Sequence, residues 1–99
     1  MFRHVVVFRW TAEATEEERA AVAVGLTGLR EQIDTLRGYR FGPDAGLADD
    51  NWDFAVVADF DDEAGYLVYR DDEAHQALIV DVLRPIISAR AAVQYTVDD

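Results

Sequence analysis

The chain has 99 residues, 51% of them hydrophobic and 11% aromatic, enough for one hydrophobic core and too short for two. Twenty acids against nine bases, all nine of them arginine, give a net charge of −11, which repels phosphate backbones and anionic lipid and argues against nucleic-acid or membrane partners. With no cysteine, disulfides, thiolate nucleophiles and cysteine zinc sites are excluded.

From Met1 to Trp10 the pattern alternates, with Phe2, His4, Val6, Phe8 and Trp10 on one face and Arg3, Val5, Val7 and Arg9 on the other. This predicts a strand with apolar residues on both faces. Its apolar stretch is short for a signal peptide, and Asp81 cuts the longest later one, so a cytoplasmic location is expected. Thr15 followed by Glu18 matches a capping box, and Val22, Leu26, Leu29 and Ile33 then recur at helical spacing, predicting a first helix over residues 15–33. Gly25 and Gly28 weaken that helix, which is tolerable where it presses closely on a sheet.

Tyr39 and Phe41 flank Arg40 between Gly38 and the turn-rich Gly42-Pro43-Asp44, a short second strand, and Asp44 to Asn51 reads as an exposed acidic loop. Trp52, Phe54, Val56, Ala58 and Phe60 alternate with Asp53, Ala55, Val57 and Asp59 in a third strand. Asp61 is expected to cap a short helix through Tyr69. A second start signal at Asp71-Asp72-Glu73 opens another helix, with Ala74, Leu78 and Val82 on one stripe and Pro85 at its end. From Ala89, the set Ala91, Val93, Tyr95 and Val97 alternates with Arg90, Ala92, Gln94 and Thr96 in a fourth strand.

The order β-α-β-β-α-β, with the second helical stretch broken in two, predicts a single α+β domain over residues 1–99 with a ferredoxin-like split βαβ topology and a four-stranded antiparallel sheet. Helices would cover one sheet face. Val5, Val7, Ala55, Val57 and Ala92 are expected on the other, where no remaining segment can cover them, and a second copy packed through that face would make a homodimer.

Phe2-Arg3-His4-Val5 with Val7-Phe8, Gly42 after the second strand, Trp52-Asp53-Phe54-Ala55-Val56-Val57, Phe60-Asp61, Tyr69 ahead of His75-Gln76, and Arg90-Ala91-Ala92-Val93 with Tyr95 together resemble the stress-responsive A/B barrel (Dabb) family over nearly the whole chain. The resemblance implies a dimeric α+β barrel of ferredoxin-like subunits. Most members have no assigned activity, whereas a plant polyketide cyclase branch uses cofactor-free histidine and tyrosine chemistry in a pocket between helices and sheet. By position, His4, Tyr69 and His75 match that pocket's first-strand histidine, helix-end tyrosine and third-helix histidine. The chain departs from the pattern at Asp72-Glu73, where many members read His-Pro, at Leu26 and Phe54, where the cyclase has tyrosine and histidine, and at Gln94, where an aspartate is common.

His4 is a polar group in an apolar setting and needs a partner, either as a structural histidine or as a pocket base. His75 borders the apolar stripe of its helix near the N-terminus, where the helix dipole disfavours protonation and keeps the imidazole available as a base. Tyr69 can donate to an oxyanion or pack as an amphipathic core residue, and Tyr66, Tyr39 and Trp52 read as packing. Asp71, Asp72 and Glu73 beside His75 offer oxygen ligands, but capping and dipole compensation already explain acids at a helix start, so no metal is expected. Phosphate-binding glycine loops, G-x-S-x-G and H-E-x-x-H are all missing. The expectation is a cofactor-independent enzyme, polyketide cyclase-like, using His4, Tyr69 and His75 on a small apolar carbonyl compound. A non-catalytic stress-associated dimer that binds a small ligand, and a cofactor-free monooxygenase-like protein, are the alternatives.

Overall fold

A computed structural model of the protein describes residues 1–98. The elements run β1 (Phe2–Trp10), α1 (Glu16–Gln32), β2 (Gly38–Pro43), β3 (Phe54–Phe60), α2 (Glu63–Asp71), α3 (Glu73–Leu78) and β4 (Ile87–Thr96). The strands form one antiparallel sheet in the order β2-β3-β1-β4, the ferredoxin-like arrangement. The expected fold class is therefore what the chain adopts.

Local chemistry sets the boundaries. The predicted capping box is formed: Thr15 Oγ1 accepts from Glu18 N at 3.1 Å, and Glu18 Oε1 accepts from Thr15 N at 2.9 Å. The cap of α2 is Asp62 and not Asp61, its carboxylate accepting from Gly65 N at 2.9 Å, while Asp61 instead pairs with Arg37. β3 starts at Phe54, two residues later than the alternation implies, because regular pairing stops at Asp53, whose own N–H still donates to Phe8 O at 2.8 Å. Its carboxylate takes the Trp10 N–H at 2.8 Å. Trp52 stacks under the Arg9 guanidinium, 4.6 Å from the ring centroid.

The last helical stretch changes pitch. Beyond Leu78 it continues as a π turn over Ile79–Leu83, closed by Arg84 N–H donating to Ile79 O, and then as a short 3₁₀ turn over Arg84–Ile86. Pro85 supplies the reason. A proline has no N–H to give and its ring collides with the carbonyl four residues back, here that of Asp81, so the chain widens and then tightens instead of continuing as α-helix. β4 accordingly starts at Ile87, with a register shift opposite Arg9 and Trp10.

Phe8, Val22, Leu29, Phe54, Val56 and Phe60 form the centre of a core between the sheet and α1 and α2, with Phe60, Val22 and Val56 sealed almost completely. Directly opposed residues share a face, and the β1–β4 register pairs His4 with Gln94, Val6 with Ala92 and Phe8 with Arg90. Ala92 therefore lies on the helix-facing side, correcting the expectation that it belongs to the open face. Val93 and Tyr95, opposite Val5 and Arg3, take its place there and are 62% and 46% exposed. Arg3 and Asp59 close an ion pair across this face at 2.7 Å, and the Arg3 guanidinium holds the Asp59 carboxyl below its ordinary range.

The α1 glycines differ in their surroundings. A Cβ at Gly25 would run into the Leu78 side chain from α3, whereas one at Gly28 would meet nothing. Gly28→Ala is expected to stabilise the protein by about 0.5–1 kcal/mol through helix propensity, and Gly25→Ala to gain less because Leu78 must shift. Urea unfolding of the two variants checks this; an equal gain at both sites would contradict the packing of α1 on α3.

Candidate active site

Between the sheet and the helices lies a cavity of about 370 Å³, within the range of roughly 300–1,000 Å³ usual for small-molecule sites. His4 from β1, Tyr69 from the last turn of α2 and His75 from the first turn of α3 all line it. The three residues singled out from the sequence thus meet at one place. Tyr69 and His75 stack with ring centroids 4.1 Å apart, and His4 lies 6.2 Å from Tyr69 by the same measure. A second depression, of about 490 Å³, is shallow and sits against Val7, Ala55 and Trp52 on the open sheet face, with acids on its rim and neither histidine nor tyrosine in its lining.

Each ring of the site is oriented by a partner. His4 is 4% exposed, and Gln94 Nε2 lies 2.7 Å from its Nδ1. Donation from the amide to Nδ1 puts the ring proton on Nε2, so His4 acts as a hydrogen-bond donor. His75 is set the opposite way. Its Nδ1–H donates to the Arg70 carbonyl at 3.1 Å, which can only accept, and Nε2 keeps its lone pair. That carbonyl is one of the orphan acceptors at the end of α2, and the Gln76 side chain caps it as well. Asp72 fixes the start of α3, accepting from Ala74 N and His75 N at 2.9 and 3.1 Å.

Tyr69 Oη lies 2.9 Å from Tyr39 Oη in a buried pair. With Tyr39 donating, the Tyr69 hydroxyl keeps its own proton for the cavity. Burial pushes the Tyr69 phenol up to about 12 and raises Tyr39 further, so both stay protonated at neutral pH. Burial, reinforced by the Arg90 cation and His75, lowers His4 to about 4; burial also lowers His75, against the pull of the Arg70 carbonyl and Asp72. At neutral pH the His4 and His75 imidazoles are therefore uncharged, and the Tyr39 and Tyr69 phenols keep their protons.

Several residues of the site escaped the sequence reading. Tyr66, taken as packing, also lines the cavity, with its ring centroid 5.0 Å from that of His4. Tyr39, taken likewise, is buried in the core and is also the hydrogen-bond partner of Tyr69. Gln94, noted only as a departure from a family pattern, is the partner of His4, and Arg70, Arg84 and Arg90 contribute to the cavity wall. The available signal was the polar set Arg90 and Gln94 alternating along one strand, whose face only the register reveals. The acids at the start of α3 are capping and ion-pairing groups, Asp72 as above and Asp71 on Arg70 at 2.9 Å. Among the described residues no group of three or more histidines and carboxylates is placed to hold a metal ion.

Sheet order and helix placement define a ferredoxin-like α+β protein, with a histidine–tyrosine cavity of small-molecule size between sheet and helices. The family model for the stress responsive A/B barrel domain matches residues 2–97, and the chain belongs to that family. It is similar to a dimeric ferredoxin-like protein of unknown function from Thermobifida fusca, at 40% identity and a TM-score of 0.90 over 97% of this chain and 90% of that one. A Dabb family protein from Mesorhizobium loti superposes with a TM-score of 0.80 at 21% identity, over 99% of this chain and 97% of that one. The hydroxynitrile lyase of Passiflora edulis shares the fold with a TM-score of 0.86 at 15% identity, over 99% and 94%. Among curated proteins, none matches the chain. No helix among the described residues is long and apolar enough to cross a membrane.

The depressed His4 value gives a pH dependence of defined sign. An unfolded histidine takes up its proton near pH 6.5 but the folded one only near 4, so the unfolded state binds more protons in between and stability falls as pH drops through that window. His75 contributes in the same direction. Urea unfolding between pH 7 and 4.5 should show a loss of roughly 2–3 kcal/mol, and His4→Gln should remove a large part of the slope. A flat profile in the parent protein would mean that His4 is not held neutral by burial.

Proposed function

We propose that the protein is a cofactor-independent enzyme that moves a proton α to the carbonyl of a small, largely apolar compound, the chemistry of an aldol-type ring closure. The observation that carries this reading is the opposite polarity of the two imidazoles that line the cavity with Tyr69, His75 with a lone pair at Nε2 and His4 with a proton there, their ring centroids 4.1 and 6.2 Å from that of Tyr69. In the proposed step His75 Nε2 takes the α-proton. The resulting enolate oxygen accepts hydrogen bonds from Tyr69 and from His4 Nε2–H. The enolate carbon then attacks a second carbonyl of the same molecule, forming the C–C bond, and the new alkoxide recovers the proton from the His75 imidazolium. Base and donors of this kind each contribute about 10²–10⁴ in rate. Burial keeps His75 neutral at physiological pH, as a base must be. The hydroxynitrile lyase among the structural relatives supports the view that this fold can carry a lyase.

Exchange of α-protons for deuterium in a panel of aryl ketones and 1,3-diketones, followed by NMR, tests the step without requiring the natural substrate. Exchange above an imidazole-buffer control is expected, falling at least about 10²-fold in His75→Ala and less in Tyr69→Phe, with the fold retained. Ligand-induced shifts at both rings without any exchange would instead make this a binding module.

We infer further that the chain pairs with a second copy through the open sheet face. The Thermobifida fusca relative is described as dimeric, and Val5, Val7, Val57 and Val93 leave apolar surface there that no helix covers. Val57→Glu would place a lone carboxylate in each half of a symmetric interface, costing several kcal/mol. Sedimentation velocity should show a dimer for the parent and a monomer for the variant; a monomeric parent at micromolar concentration would end this inference.

A further inference from the structure

We propose that the cavity recognises a carboxylate, so that its ligand is an organic acid with an apolar body, and that Arg90 and Arg84 are the groups that select it. This rests on the reading of the cavity as a small-molecule site and specifies what the small molecule carries. The charge distribution makes the case. Twenty of the 99 residues are acids, yet none lines this cavity, while three of the nine arginines do. A wall of one sign inside a strongly acidic protein is the reverse of what composition alone would produce.

The three arginines differ in what holds them. Arg70 is neutralised by Asp71, at 2.9 and 3.2 Å. Arg84 and Arg90 make no ion pair and no side-chain hydrogen bond among the described residues, although elsewhere Arg3 and Arg37 are matched to Asp59 and Asp61. Arg90 is placed by register, opposite Phe8 on the helix-facing side of the sheet. Arg84 is placed by the π turn, where its N–H closes the wide loop on Ile79. Both remain exposed, so their guanidinium groups sit where the cavity meets solvent, while Val6, Phe8, Val22 and Val56 provide an apolar floor. An acid entering apolar end first would leave its carboxylate among these donors, which suit it by geometry and charge. Arg90 acts on the site already, lowering the proton affinity of His4, His75 and Tyr69.

A phosphate is less well served. Recognition of that group commonly uses main-chain N–H groups at a helix start, and here those of Ala74 and His75 are taken by Asp72.

The test is isothermal titration with three ligands of one shape, 4-acetylbenzoate, 4-acetylbenzamide and acetophenone, with inorganic phosphate as competitor. The carboxylate should bind about 10- to 100-fold more tightly than the amide, with the margin shrinking as salt is raised. Arg84→Gln/Arg90→Gln should abolish the margin by weakening the carboxylate to the level of the amide. Arg19→Gln, which lowers net charge at a residue that does not line the cavity, should preserve it. Equal binding of all three ligands, a margin that survives the double variant, or displacement of the benzoate by millimolar phosphate would overturn carboxylate selection and leave the cavity reading standing. Failure of every ligand to bind would overturn both.

Discussion

The structure is organised around one constraint, an imidazole buried on the central strand of the sheet. His4 has β3 on one side and β4 on the other, facing Ala58 and Gln94. At 4% exposure it has lost its water, and a buried polar ring without a partner costs more than an ordinary hydrogen bond returns. Gln94 supplies that partner from β4, while small Ala58 lies opposite the ring on β3. The cavity against the helices is polar where His4 meets it.

The same constraint explains why β4 is inverted with respect to ordinary amphipathic strands. Arg90 and Gln94 face the helices and Val93 and Tyr95 face outward, because the helix side of β4 borders a polar cavity while its outer side is part of an apolar surface. The inward departure lies on the side of the proposed ligand, and the outward one on the side of the proposed partner sheet.

Where α2 gives way to α3, the break after Asp71 leaves the Arg70 carbonyl without an intrahelical donor, and the next turn supplies His75 and Gln76 to fill it. Satisfying a helix end and choosing a histidine tautomer are here the same event. Further along, the widening forced ahead of Pro85 keeps Ile79, Leu83 and Arg84 all on the cavity side.

Element order, the capping box at Thr15, the inward phase of His4 and the topology were legible in the sequence, because each depends on residues a few positions apart and on periods of two or 3.6. The resemblance carried by His4, Tyr69 and His75 also anticipated which side chains would meet. What the linear pattern could not decide was the face of β4: its two alternating sets both contain apolar residues, and only the pairing of His4 with Gln94 across 90 positions assigns Ala92 to the helix side. Tyr39 read as core because its hydroxyl partner, Tyr69, lies 30 positions away. The start of β3 and the end of α3 shifted for a related reason, since the Asp53 carboxylate replaces a ladder bond and Pro85 reshapes the turn before it. Composition determined that the protein is acidic; only the tertiary structure decided that three of its arginines, and none of its acids, would line the cavity, because the sides of a cavity come from segments whose mutual placement is fixed by packing and register rather than by local sequence.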